Sequence, residues 1–218
     1  MVVCYLNVFY FCITLTILII VVVLCTLNIG NKDNFVSQTA YDGRRYNVRA
    51  EGNSEERIES ANFLSNIYNK IDKLVLYMKD KSLPNNTTAI RLYKRWARCG
   101  LKETSYHETS AAYTVNKGEE LRLCIRSPKS QLLENENTAI FVVLHELAHL
   151  MSVSYGHNEE FQLNFLYIVE IGSALGIYMP EDFGNEPINY CGTVITTTPC
   201  DGGTCEYTSI PTSPAYHP

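Results

Sequence analysis

TAIFVVLHELAH, residues 138–149, is the stretch that decides how this chain is read. From Ala139 to Leu144 every side chain is apolar, which predicts a helix buried nearly all round, over about residues 137–153. Into that apolar helix the chain sets His145, Glu146 and His149. Residues four apart lie on one helix face, so the two imidazoles can grip one ion from the same side. Unpaired polar groups in such a helix are costly, and a bound metal offsets that cost. Zinc is the expected ion, since it takes imidazole nitrogens at about 2.0–2.1 Å. Glu146 then stands beside the metal's water and is expected to act as general base.

A catalytic zinc takes three protein ligands and keeps a fourth position open. His157 is the expected third ligand, placed after Tyr155 and Gly156, where the chain has to turn and where Asn158 can start another helix. Glu170 is the rival, 21 residues past His149 on the following helix. A side chain that steadies the oxyanion is also required. Tyr190 is taken for this role, with Tyr155 and His107 as alternatives.

Working outward from the metal segment, Asn53 with Glu56 marks a helix start. Ile58, Phe63, Leu64, Ile67, Ile71, Leu74, Val75 and Met78 continue at helical spacing as far as about Pro84. A second helix is expected over about 88–98, carrying Arg91, Lys94, Arg95 and Arg98. Such a row either meets an anionic partner or is a solvated face, and the solvated face is the preferred reading. Residues 111–115 and 120–125 read as two strands around an Asn116-Lys117-Gly118 turn. A further helix over about 158–175 and a strand over about 188–197 complete the domain.

No charged residue precedes Lys32, and residues 8–27 alone are long enough to cross a bilayer as a helix. The expected organisation is a transmembrane anchor at 1–30 with the membrane contact at 4–29, a linker at 31–53, a catalytic domain at 54–198 and a flexible tail at 199–218. The orientation of that single pass is open, since Lys32, Arg44 and Arg45 argue one way and the sequons at Asn85 and Asn86 the other. All 18 Lys and Arg precede Gln131, while 11 of the 23 acidic residues follow it. An acidic half of this kind attracts cations and disfavours nucleic acid as a partner. The eight cysteines include no C-x-x-C pair, which makes a cysteine zinc finger a poor reading. Of Cys99, Cys124, Cys191, Cys200 and Cys205, the last two are placed to close a small loop in an oxidising compartment.

The run HELAHLMSVSYGHNEEF, His145 to Phe161, resembles the small zinc peptidases of the WLM/SprT-like group, with His145, Glu146, His149, His157 and Phe161 at the motif positions. With NYCG at 189–192 and the hydrophobic N-terminus, the layout is also similar to membrane-anchored metallopeptidases predicted in large DNA viruses. The resemblance implies an α+β zincin-like domain, with a small antiparallel sheet packed on the HExxH helix. It implies zinc as cofactor and a protein or peptide as substrate. The function expected from residues and resemblance together is a membrane-anchored zinc-dependent peptidase. The alternative is a non-enzymatic membrane or virion component with a structural zinc.

Overall fold

The computed structural model describes residues 13–21, 23, 35–81, 86–106 and 108–199. The chain divides into two compact units, Met1–Asn34 and Phe35–Pro218, each taken by itself. In the first, residues 13–21 and 23 are helical. No helix among the described residues is long and apolar enough to cross a membrane. The expected transmembrane anchor and the single-pass membrane localisation are therefore corrected. The rest of the expected span lies outside the described residues, as does the expected tail from residue 200 onward.

In the second unit the strands β1 (Phe35–Thr39) and β2 (Arg45–Arg49) come first, where sequence alone suggested a linker. Helix α1 (Ser54–Lys81) follows, its start fixed by Asn53 Oδ1, which accepts from the Glu55 and Glu56 amides at 2.8 and 3.0 Å. Then come α2 (Thr87–Trp96), β3 (Gly100–Glu103), β4 (Ala112–Val115), β5 (Glu120–Leu123), α3 (Glu136–Met151), α4 (Glu159–Ala174), β6 (Ile188–Tyr190) and β7 (Thr193–Ile195).

The first five strands make one sheet in the order β1-β2-β3-β5-β4, and β6 and β7 form a separate hairpin. The sheet is mixed, correcting the expected antiparallel one: β2 runs parallel to β3, and β3 parallel to β5. Two helices lie between β2 and β3, and a crossover of that length returns a strand in the parallel sense. Glu103 locks this junction, accepting from the Arg49 amide at 2.8 Å and from its Nε at 2.6 Å.

The apolar stripe of α1, including Leu64, Ile67, Ile71 and Leu74, is fully buried and packs on β1–β3, α2, α3 and α4. Helices α3 and α4 pack together closely. Gly172 makes this possible, because a Cβ there would meet Leu74 Cδ1 at 3.3 Å and Leu144 Cδ1 at 3.4 Å. Among the described residues one disulfide, Cys124–Cys191, ties the end of β5 to the β6–β7 hairpin. Cys200 and Cys205 lie outside the described residues.

Candidate metal centre

Helix α3 begins at Asn135, whose Oδ1 accepts from the Thr138 amide at 3.1 Å. It ends at Ser152, whose Oγ donates to Ala148 O at 2.8 Å and accepts from Asn164 Nδ2 on α4 at 2.9 Å. The chain then makes a short loop held by its own side chains. Glu160 accepts from the Val153 and Ser154 amides at 2.8 and 2.9 Å and from the Ser154 hydroxyl. Gly156, at φ +82°, reverses the backbone. Asn158 caps α4 by accepting from the Phe161 amide at 3.1 Å and donates to Ser154 Oγ at 2.7 Å. This loop carries His157 back over α3.

The result is a triangle of imidazoles. His157 Nε2 lies 3.0 Å from His145 Nε2 and 3.1 Å from His149 Nε2. The buried Phe161 ring supports all three, with centroid separations of 4.8, 4.3 and 4.6 Å to His145, His149 and His157. His157 Nε2 carries at most one hydrogen and cannot donate to both neighbours. A cation accepting three lone pairs satisfies all three nitrogens together. A tetrahedral ion about 2.0–2.1 Å from each nitrogen spaces its ligands about 3.3 Å apart, close to what is seen here. Burial, then mutual repulsion among the rings, lowers His145 to about 4, and burial, His157 and Lys117 do the same to His149. Both rings are thus neutral near pH 7, the form a metal requires. The donor set fits zinc. Among the described residues this is the one cluster of its kind, and it does not include Glu170, which sits on α4 with its carboxyl raised by burial.

Glu146 is 8 % exposed on α3. Burial pushes its carboxyl up to about 7, while the Thr114 backbone amide pulls the other way. That contact marks where β4, at the end of the sheet order, lies against α3. Cys124 N donates to Ala111 O at 2.9 Å, so in the antiparallel ladder Tyr113 and Val115 also bond toward β5. Ala112 and Thr114 therefore turn their amides and carbonyls to the free edge, beside Glu146.

Tyr190 is placed elsewhere. It is 1 % exposed and its hydroxyl donates to Cys124 O at 2.6 Å, next to the disulfide. Tyr155 lies on the cleft rim, 83 % exposed, with Lys117 Nζ 3.7 Å from its ring centroid. His107 lies outside the described residues. Sequence reading missed the work of Arg91 and Arg95. Arg91 donates to Met151 O, and Arg95 donates to Leu150 O at 2.7 Å and Ser152 O at 3.0 Å. With Lys117 on Val153 O at 2.6 Å, these cations satisfy the carbonyl end of α3 and oppose its dipole.

Fold and site together define the class: an α+β domain whose buried helix presents an HExxH segment, with a third histidine brought in so that the three could hold a metal ion. The chain is similar to the uncharacterized protein R325 of Acanthamoeba polyphaga mimivirus, 31 % identical over 148 residues that span 66 % of this chain and 74 % of that protein. It belongs to the same family as that mimivirus protein. Two further viral relatives match shorter stretches. They are the uncharacterized protein 042R of Invertebrate iridescent virus 3, 36 % identical over 38 % of this chain and 51 % of the relative, and 136R of Invertebrate iridescent virus 6, 35 % identical over 36 % and 44 %. Among solved structures, Wss1 from Saccharomyces cerevisiae is loosely similar, at TM-score 0.42 and 18 % identity over 59 % of this chain and 89 % of that one. A mutant of Wss1 gives TM-score 0.45 and 17 % identity over 60 % and 92 %. No family model matches the chain.

Proposed function

We propose that this chain is a WLM-like zinc-dependent peptidase in which Glu146 moves the protons of peptide-bond hydrolysis. The observation that carries this reading is the convergence of three imidazole Nε2 atoms beside a buried carboxyl and a free strand edge. Zinc held by His145, His149 and His157 supplies a Lewis acid and an acidified water. Glu146 accepts a proton from the attacking water and hands it to the leaving amine. A carboxyl poised near neutrality suits both transfers. The outward amide and carbonyl of Ala112 and the outward carbonyl of Thr114 take the substrate backbone as an added strand. Tyr155, on the rim, is assigned to steady the oxyanion, the role first given to Tyr190.

A structural ion calls for a closed shell of four protein donors. Among the described residues the cluster offers three, which favours the peptidase reading over an inert one. The test is metal analysis and peptide cleavage on purified full-length protein. Wild type should hold one zinc and cleave an unstructured protein substrate. Glu146→Gln should keep the zinc and lose at least about 10³-fold in turnover, a drop larger than one proton transfer by a neighbouring water can make good. His157→Ala should lose the zinc and Glu170→Ala should not. Cleavage that persists in Glu146→Gln, or zinc-loaded wild type that cleaves nothing, overturns the proposal.

A further inference from the structure

Two cavities flank the metal centre. One, of 640 Å³, touches His149 and is rimmed by Asn116, Lys117 and Tyr155. The other, of 460 Å³, touches His145 and Glu146. Its inner wall is apolar, Phe141 and Val142 of α3 and Phe165 of α4, with Ala112 on one side and Val194 and Ile195 of β7 on the other, while Thr109, Ser110, Thr193, Thr196 and Thr197 supply uncharged hydroxyls. Resting on the peptidase reading, we propose that this second cavity is the specificity subsite, and that it takes one large apolar side chain of the substrate next to the scissile bond.

The cavity opens beside the carboxyl that would move the protons, and the free edge of β4 runs along it. A polypeptide paired with Ala112 and Thr114 must send alternate side chains to the α3 side of the strand. At that point the chain has small residues, Ala111 and Ala112, and the space a larger side chain would fill is left to the ligand. The volume lies within the ~300–1,000 Å³ of ordinary ligand sites. Apart from His145 and Glu146, which the chemistry uses, no ionisable side chain lines the cavity. A charged side chain entering it would lose its water, and the one carboxyl that could answer a lysine or arginine, Glu146, is the group the chemistry uses.

The outer wall is the β6–β7 hairpin, and its Val194 is 57 % exposed, an apolar surface that a bound side chain would cover. This wall is built to stay in place. The Cys124–Cys191 disulfide anchors its turn, Glu134 accepts from the Cys191 amide at 3.0 Å, and the Tyr190 hydroxyl holds Cys124 O. A three-residue strand pair with no other support would not define a pocket, since isolated hairpins are marginal in water.

The experiment separates this subsite from the chemistry. N-acetyl amides of leucine, phenylalanine, aspartate and lysine are titrated into full-length, zinc-loaded Glu146→Gln and followed by amide NMR shifts. Leucine and phenylalanine amides should bind at least about tenfold tighter than the charged pair, shifting the signals of Ala112 and Val194. Val194→Asp, at an exposed position that leaves the core intact, should erase that preference. Ala112→Leu should block binding by filling the space. Equal binding of all four amides, or a preference unchanged in both variants, overturns the subsite. Apolar binding with no peptide cleaved by wild type would support the subsite and sink the peptidase reading. Cleavage with no apolar preference would do the reverse.

Discussion

Two tyrosines separate what a residue type suggests from what its surroundings allow. Tyr190 has its hydroxyl fully engaged by Cys124 O inside the core, whereas Tyr155 stands exposed at the rim beside His149. Tyr190→Phe should cost about 1–2 kcal/mol of stability by leaving a buried carbonyl short of a donor, with turnover unchanged. Tyr155→Phe should leave the melting curve alone and slow turnover, by about 10²-fold where the oxyanion donor is fully used. The reverse pattern would restore Tyr190 to the chemistry. Nothing in the sequence distinguishes these two phenols, because burial decides their roles and burial is a tertiary property. Glu160 makes a similar point about the loop that carries His157. Burial alone would raise its carboxyl, but the Ser154 hydroxyl and the Val153 and Ser154 amides hold it below the ordinary 4.5. With the folded value depressed, its stabilisation is present above pH 4.5 and drains away as pH falls through the folded value. Glu160→Gln should therefore cost about 1–2 kcal/mol at pH 7, and wild type and variant should converge toward pH 3 in denaturant melts. A gap that persists at pH 3 would show that the carboxylate charge is not what orders the loop.

At the scale of elements, the β6–β7 hairpin depends on a bond that links positions 67 residues apart. Cys191→Ser should lower stability by about 2–4 kcal/mol, and reduction of the wild type should match it, as read by thermal melts with and without reductant. An unchanged melt would mean that the hairpin is held by its other contacts. This pairing was not readable from the sequence, since cysteine spacing does not fix connectivity. The helices were readable, because their apolar residues repeat at helical spacing over long stretches. The expected helices over about 137–153 and 158–175 lie within two residues of α3 and α4 at each end. The turn before β5 was also legible: Asn116 and Lys117 both take positive φ, 46° and 50°, as a tight hairpin requires. The strands β1 and β2 were not, because five-residue runs such as FVSQT and RYNVR hold too few apolar residues to show a period. Strand β3 was missed because its four residues, GLKE, hold a single large apolar side chain and show no period. The parallel pairings follow from how α1 and α2 cross the sheet, which no local pattern encodes.

For the whole molecule, the question is whether the metal builds the domain or only occupies it. Two of the three histidines lie on α3, and the third stands directly before the N-cap of α4. Phe161, Asn158, Glu160 and Lys117 hold that arrangement through protein contacts alone. Behind them lies a core that joins α1, α2, α3, α4 and the five-stranded sheet. A small zinc domain has no such core and is unfolded without its ion. Here the metal-free chain should remain folded, and zinc should add stability only by mass action. At free zinc one hundred times the dissociation constant that amounts to about 2.7 kcal/mol. In a domain of this size each kcal/mol moves the melting temperature by about 2–4 °C. Chelation should thus lower the midpoint by about 5–11 °C, with far-UV circular dichroism at 25 °C unchanged, and added zinc should restore it. His157→Ala should melt near the chelated value whether or not zinc is present. Collapse of the dichroism on chelation would make the ion part of the fold, and no shift at all would mean that the three imidazoles do not bind it.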